Sequence, residues 1–355
     1  MKGKRFKRKF THSVRVGNIT IGGNFPIAVQ TMWKQPLQKV NEKLLKSMKM
    51  FQESGCDILR FAVPDEHTAH LLGKLSKTNI LPLVADIHFD YKLALICLDY
   101  PVAKIRINPG NIGARWKVKE VVLKAKDKDV SIRIGVNSGS LSYKLRSMKD
   151  TAMAMVKAAE DEMALCEHYD FKNIIFSLKS SDPHTTIRAN TLFSKHYDFP
   201  LHLGVTEAGP LIPGIVKNTA ALFTLLSQGI GDTLRVSLSA DCLKEIETAQ
   251  AIIKTVGYQT NKPNIISCPT CGRTVFPISE FYEKIKTNID KLRKDVTIAI
   301  MGCAVNGPGE ARRADLGITG TQKHVIIFKK GKVIRRELIE NALSVFMEEL
   351  DKINE

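Results

Sequence analysis

Residues 102–136, VAKIRINPGNIGARWKVKEVVLKAKDKDVSIRIGV, decide the fold. Two β-branched runs, Val102 to Ile107 and Val130 to Val136, enclose a segment of helical pattern, and the first run leads into the turn-forming Asn108-Pro109-Gly110-Asn111-Ile112-Gly113. Strand, helix and strand in that order form the unit from which parallel sheets are built. The alternation continues outward in both directions. Short β-branched runs recur at Ile27 to Gln30, Asp57 to Phe61, Leu81 to Ala85, Asn173 to Leu178, Leu201 to Val205 and Thr233 to Leu238. The segments between them read as helices, as in Ala152, Met155, Ala159, Met163 and Cys166 at steps of three and four behind an N-cap at Asp150. Eight strands alternating with helices over about 250 residues predict a (β/α)8 TIM-type barrel with its site at the C-terminal strand ends. A doubly wound sheet shares the alternation, because periodicity does not report closure.

Before the first of these strands, Val14 to Val16 and Ile19 to Ile21 flank Gly17-Asn18 and predict a hairpin that plugs the barrel bottom. Polar residues 258–263 predict a linker, so the barrel domain spans 1–257 and a small α/β domain spans 264–355. In that second domain the pattern predicts strands at Asn264 to Ser267, Val296 to Ile300 and Val325 to Phe328, a helix near Ser279 to Arg293, and a last helix from Glu337.

At 355 residues, 44% hydrophobic and 25% charged, the chain is neither disordered nor collagen-like. No 18 apolar residues run without a charge and no apolar stretch follows the basic start, so the expectation is a cytoplasmic protein without a transmembrane helix or signal peptide. The net charge of +17 attracts anions, whether nucleic acid, membrane surface or a phosphorylated metabolite. Nine cations and no acid precede Glu42, which reads as a solvated basic end and not a binding groove.

Residues at the predicted strand ends share a chemical theme. Arg60 closes the second strand, Asp86 and His88 follow the third, Arg106 and Asn108 the fourth, Arg133 and Asn137 the fifth, Lys179 the sixth, Glu207 the seventh, and Arg235 and Ser237 the eighth. Cations converging on one mouth, several of them arginines with planar forks, suit a multiply charged phosphate ester. The Pro109 to Gly113 loop adds amides that could face a phosphate. The alternative is that these charges pair among themselves, Arg with Asp86 or Glu207, for stability alone. Glu207, in Gly204-Val205-Thr206-Glu207-Ala208-Gly209, is a carboxylate among cations that could pass a proton to a basic substrate oxygen.

Seven cysteines form no disulfide framework in a chain of this kind. Cys56, Cys97 and Cys166 fall in apolar helical patterns and Cys242 at a helix start, whereas Cys268, Cys271 and Cys303 stand in turns marked by Gly and Pro. Cys268-Pro269-Thr270-Cys271 places two thiolates for one metal centre, and Cys303 follows 31 residues after Gly272 within Gly302-Cys303-Ala304-Val305-Asn306-Gly307-Pro308-Gly309-Glu310. Three cysteines are too few for a closed four-thiolate zinc site, but they fit a [4Fe-4S] cluster with one iron held more weakly, by Glu310. Zinc with His324 as fourth ligand is the alternative. A nucleic-acid-binding zinc module would need a second cysteine knuckle and interleaved aromatics, and the chain offers neither.

These motifs carry a family resemblance from about Arg15 to the last helix: Val29-Gln30-Thr31-Met32, Ile105 to Gly113, Arg133-Ile134-Gly135-Val136-Asn137-Ser138-Gly139-Ser140-Leu141, His202 to Gly209, and both cysteine blocks. The chain resembles the bacterial 4-hydroxy-3-methylbut-2-en-1-yl diphosphate synthase family of the methylerythritol phosphate route to isoprenoids. The resemblance implies two domains without the large insert of plant-type relatives. It implies a barrel that binds 2-C-methyl-D-erythritol 2,4-cyclodiphosphate, and a [4Fe-4S] cluster on Cys268, Cys271, Cys303 and Glu310. Arg60, Arg106, Arg133, Lys179 and Ser237 match the family's diphosphate-binding positions, Asn137 a substrate contact and Glu207 the suspected proton donor. It further implies a head-to-tail homodimer and single-electron delivery from flavodoxin or ferredoxin. One departure is local: Trp33-Lys34-Gln35-Pro36-Leu37 stands where relatives carry a short run rich in Thr, Asn and Asp.

Overall fold

The structure is a computed structural model that describes residues 7–258, 260, 262–303, 309 and 311–354. The chain divides into two units, Met1–Tyr258 and Gln259–Glu355.

The first unit begins with the expected hairpin, β1 (Val14–Val16) and β2 (Ile19–Ile21), turning at Gly17 with φ +61°. Eight parallel strands follow: β3 (Ala28–Met32), β4 (Ile58–Ala62), β5 (Leu83–Ile87), β6 (Lys104–Ile107), β7 (Ser131–Asn137), β8 (Ile174–Lys179), β9 (His202–Leu203) and β10 (Thr233–Leu234). Their hydrogen-bonded order runs β8-β7-β6-β5-β4-β3-β10-β9. The ends of that order meet where Phe176 N donates to Pro200 O at 2.9 Å and Phe176 bridges Leu201, which closes the barrel and excludes the doubly wound alternative.

Helices return the chain between strands: α1 (Glu42–Glu53), α2 (Glu66–Ser76), α3 (Tyr91–Cys97), the single turn α4 (Pro109–Ile112), α5 (Arg115–Asp127), the short α6 (Tyr143–Arg146), α7 (Thr151–His168), α8 (Pro183–His196), α9 (Leu211–Ser227) and α10 (Cys242–Val256). Asp150 caps α7 by accepting from Met153 N at 3.2 Å, one of the orphan amides that any helix start must satisfy.

Strand alternation sorts the side chains. Ile105, Ile107, Ile132, Ile134 and Val136 point outward and join the helices in one apolar core. Lys104, Arg106, Ser131, Arg133 and Gly135 therefore point into the barrel. At the N-terminal end the inward residues are apolar: Ala28, Ile58, Val84 and Ile175 pack with Val14, Val16 and Ile21 of the hairpin, which plugs that end as expected. Above this layer the interior is polar, where TIM barrels are usually filled with branched apolar side chains.

The basic end is a correction. Arg8 Nη2 lies 2.5 Å from Asp232 Oδ1, and Lys9 pairs with Asp198 at 3.0 Å and donates to Tyr197 O. Asp232 is buried, so at residues 8 and 9 the charge run is strapped to the barrel and not a solvated tail. Cys56, Cys97, Cys166 and Cys242 are buried as packing thiols, and burial first of all pushes the first three up to about 12.

Glu162 on α7 supplies a pH test. Burial pushes its carboxyl up to about 7 despite Arg115, and its Oε2 has no partner among the described residues. The folded chain thus keeps a proton that the unfolded chain releases near 4.5, so stability falls as pH rises across that window. Glu162→Gln is expected to flatten the decline between pH 5 and 7.5 by about 1–2 kcal/mol in urea unfolding. An unchanged slope would show that Glu162 is solvated.

In the second unit β11 (Asn264–Ser267), β12 (Thr297–Met301) and β13 (Leu316–Gly320) run parallel, and β14 (His324–Lys329) and β15 (Lys332–Leu338) continue the sheet antiparallel. Helices α11 (Ile278–Lys291) and α12 (Ala342–Asn354) share a core with it through Phe281, Ile285, Ile300, Ile318 and Phe346. The last helix starts at Ala342, not Glu337, which lies in β15. Edge strands carry charge on their unpaired side, so Lys332 to Leu338 does not read as a strand from pattern alone. Gly317 in β13 is required by packing, because a Cβ there would stand 2.2 Å from the Phe328 ring.

Among the described residues, no helix is long and apolar enough to cross a membrane.

Candidate active site

The C-terminal barrel mouth is built around one buried carboxylate. Asp86, 2% exposed, stands one residue before the end of β5 and accepts from Arg106 Nη1 of β6 at 2.9 Å. Arg60 Nε of β4 stands 3.6 Å from its other oxygen, and His88 Nε2 lies 3.3 Å from that oxygen and 3.2 Å from Arg106 Nη1. Burial alone would raise the Asp86 carboxyl, but Arg60, the His88 hydrogen bond and Arg106 hold it well below the usual carboxylate range. Arg60 also donates to Met32 Sδ, at 2.8 Å from Nη2. The pairing alternative thus describes Arg60 and Arg106, with Asp86 as their partner.

It does not describe Arg133 and Lys179. Arg133 is 1% exposed and its Nη1 donates to Ser177 Oγ at 2.7 Å, while Nε and Nη2 have no partner among the described residues. Lys179 is buried, and burial, then Arg133 and Arg60, push its ammonium well below the usual lysine range. Gly204 faces it: a Cβ there would stand 2.7 Å from Lys179 Nζ and 2.5 Å from Arg235 O. Among the described residues, two cations at the mouth therefore lack an acidic partner, the arrangement of a site that waits for an anion.

Glu245, in the first turn of α10, is the second buried carboxylate. It accepts from Thr31 Oγ1 at 2.8 Å, Arg235 Nη2 at 3.0 Å and Leu238 N at 3.1 Å, and Lys34 pairs with it at 3.0 Å. Lys34 also donates to Leu238 O and Ala240 O, and Trp33 stacks on Phe61 at 6.0 Å. The departure at Trp33 to Leu37 is thus pinned at the wall of a cleft of about 920 Å³ whose lining includes Met32, Trp33, Lys34, His67 and Arg235.

Ser237 and Asn137 are half-buried at the mouth, and the Ser237 carbonyl accepts from Asn218 Nδ2 at 3.2 Å. Glu207 is exposed and sits at φ +50°, the left-handed region that a side chain adopts only under constraint. The Pro109 to Gly113 expectation needs correction: α4 forms there, and the amides of Asn111 and Ile112 both donate to Asn108 O, so neither is free for a phosphate.

Gly135 decides where Arg106 sits. A Cβ there would lie 2.9 Å from Arg106 Nε, so Gly135→Ala must displace a guanidinium already held by Asp86. We expect kcat/KM to fall about tenfold, equivalent to about 1.4 kcal/mol, with little change in stability. Unchanged kinetics would show that the Arg106 position is not critical.

In the second unit, Cys268 follows β11 and Cys303 follows β12, so two thiols stand at the C-terminal edge of adjacent parallel strands. Gly302 N donates to Cys268 Sγ at 3.3 Å, and Val275 N and Phe276 N donate to Gly302 O, which ties the Cys271 loop to the same edge. Cys271 is exposed, and hydrogen bonding from the Arg273 amide chiefly lowers its thiol. Among the described residues no three His, Cys, Asp or Glu side chains are close enough to hold a metal ion, and Glu310 lies outside those residues. The donor set nevertheless fits a soft metal centre: three unpaired thiols, one already accepting an amide hydrogen bond and one shifted toward thiolate.

The family model for the GcpE TIM-barrel domain matches residues 11–250, and that for the GcpE protein C-terminal domain matches 264–352. The chain belongs to the GcpE family. Among GcpE relatives, 4-hydroxy-3-methylbut-2-en-1-yl diphosphate synthase (flavodoxin) of Treponema denticola is 45% identical over 96% of this chain and 96% of its own length. The synthases of the same name from Treponema pallidum and Bacillus cytotoxicus are 46% and 44% identical, covering 90% and 98% of this chain and 82% and 94% of their own. The dihydropteroate synthase of Yersinia pestis overlays 69% of this chain and 96% of its own with a TM-score of 0.49 at 10% identity.

Sequence reading missed Glu245, Lys104, Gln30 and His202. Lys104, two residues before Arg106, and Gln30, two before Met32, were within reach of strand alternation. Glu245 was not, since a helical glutamate reads as surface.

Proposed function

We propose that this GcpE protein catalyses reductive ring opening and dehydration of 2-C-methyl-D-erythritol 2,4-cyclodiphosphate to 4-hydroxy-3-methylbut-2-enyl diphosphate. The observation that carries this reading is the mouth of Arg60, Arg106, Arg133 and Lys179, in which Asp86 occupies two cations and leaves two without an acidic partner among the described residues. A diphosphate supplies the missing charge. Family membership and the synthase names of its relatives supply the reaction.

The overall step takes in two electrons and two protons and releases one water. Arg133 and Lys179 hold the diphosphate, Arg60 and Arg106 complete the fork under the constraint of Asp86, and Ser237 and Asn137 fix the carbon skeleton. Glu207, exposed and constrained in the left-handed region, hands a proton to the departing oxygen. Cys268, Cys271, Cys303 and Glu310 would hold a [4Fe-4S] cluster, whose contribution when bound is one-electron transfer from flavodoxin or ferredoxin. The reading includes a homodimer, which sedimentation of the anaerobic protein checks.

The test is turnover of the cyclic diphosphate by anaerobically reconstituted protein with reduced flavodoxin. Formation of the linear enyl diphosphate is expected. Protein with full iron and sulfide content that leaves this substrate unchanged would overturn the proposal.

A further inference from the structure

The turn that follows Ser237 is held from two sides, and on one of them a single side chain does the holding. On the first side, Asn218 Nδ2 of α9 donates to Ser237 O at 3.2 Å and Ser239 N donates to Gly209 O at 3.0 Å. On the second, Lys34 Nζ donates to Leu238 O at 2.7 Å and to Ala240 O, and pairs with Glu245 Oε1 at 3.0 Å. These three acceptors match the three donors of an ammonium. Leu238 N donates to the same Glu245 oxygen at 3.1 Å, so both backbone groups of the residue after Ser237 end on the Lys34–Glu245 pair.

Glu245 does not need Lys34 for neutralisation. Arg235 Nη2 already stands 3.0 Å from it, and Thr31 Oγ1 donates to it at 2.8 Å. Two of the three Lys34 contacts are instead main-chain carbonyls of residues 238 and 240, which precede the Asp241 N-cap of α10 and so take no hydrogen bond from that helix. The base of Lys34 is itself fixed. Trp33 N donates to Arg60 O at 2.9 Å, the Trp33 ring lies 6.0 Å from Phe61 and 6.2 Å from Phe51, and Cys242 Sγ donates to Met32 O at 3.3 Å. A rigid anchor on the β3 side therefore grips the turn on the β10 side, and the cost is the rotamer freedom of one lysine.

We propose that Lys34 is a positioning residue for the substrate contact at Ser237. It sets the height of the turn that carries Ser237 over the mouth and touches no substrate itself, so this role rests on the cyclic diphosphate reading above. A displacement of about 1 Å is enough to turn a hydrogen bond of normal length into none, which is why a grip on the next residue matters to Ser237.

The full chain, purified without oxygen and kept without reductant so that nothing turns over, is titrated calorimetrically with 2-C-methyl-D-erythritol 2,4-cyclodiphosphate. Wild type, Lys34→Met, Ser237→Ala and the double variant are compared. Lys34→Met is expected to weaken binding about tenfold in the wild-type background and by less than about twofold in the Ser237→Ala background, because the two changes then remove the same contact. Unchanged affinity in Lys34→Met overturns the role. So does equal weakening in both backgrounds, which is what general loosening or the loss of one distant positive charge would produce. Wild-type protein that does not bind the cyclic diphosphate overturns that reading and this role together, whereas the other two results overturn the role alone. A crystal structure of the wild type with the cyclic diphosphate does not depend on any variant folding. Ser237 Oγ on the substrate with Lys34 still on Leu238 O and Ala240 O supports the proposal; Lys34 on the substrate, or Ser237 away from it, refutes it.

Discussion

Asp86→Asn is expected to destabilise the substrate-free protein by about 3–5 kcal/mol, because it leaves buried cations without their carboxylate. Arg60 and Arg106 reach Asp86 at 3.6 and 2.9 Å, and no other described carboxylate pairs with either. The asparagine keeps the shape and one acceptor oxygen, so the loss isolates the charge. The sign with pH follows from the depressed Asp86 carboxyl. Its stabilisation is complete above the unfolded value near 3.8 and disappears only as pH falls toward a folded value far below it. The wild-type to variant difference should therefore be constant from pH 5 to 8. Inorganic pyrophosphate should return much of the lost stability to the variant, since an added polyanion answers the same cations. Urea unfolding with and without pyrophosphate measures all three effects. A variant as stable as the wild type would mean that the mouth is hydrated and its charges screened.

Cys303→Ser should remove visible absorption and turnover together. Wild-type protein is expected to carry about four irons per chain, as a [4Fe-4S] cluster requires, and the variant to lose most of them. The contrast is Cys97→Ala. Cys97 is buried in the barrel core, its thiol pushed up to about 12 by burial, so this change should cost stability and leave colour and rate per iron intact. Cys303 instead stands half-buried at the sheet edge beside Gly302, which donates to Cys268 Sγ. A Cys303→Ser protein with wild-type iron and rate would remove this thiol from the centre.

Features legible in the sequence were local ones. The hairpin at Gly17 is where Val14 to Ile21 predicts it, and all eight barrel strands lie on their predicted runs, β9 and β10 as short two-residue pairings. The separation of Cys268, Cys271 and Cys303 from four packed cysteines also holds, because turn residues and apolar periodicity act within a few residues. The second unit was less legible. Its β13 is spaced by glycines that Phe328 and Phe276 require, and β15 is a charged edge, so neither carries the alternation of a half-buried strand.

By itself the sequence determined the succession of strands and helices, the cationic theme of the strand ends and the isolation of three thiols. Tertiary structure alone decided which cations are paired. Asp86 serves Arg60 and Arg106 because β4, β5 and β6 are neighbours in register, and Glu245 reaches Thr31 and Arg235 because barrel closure sets β3 beside β10. The same closure buries Lys104, Gln30, Arg133 and His202 in one interior. The physical reason is range: propensity and periodicity are set by neighbours along the chain, whereas the desolvation and pairing of a charge depend on residues far away in sequence.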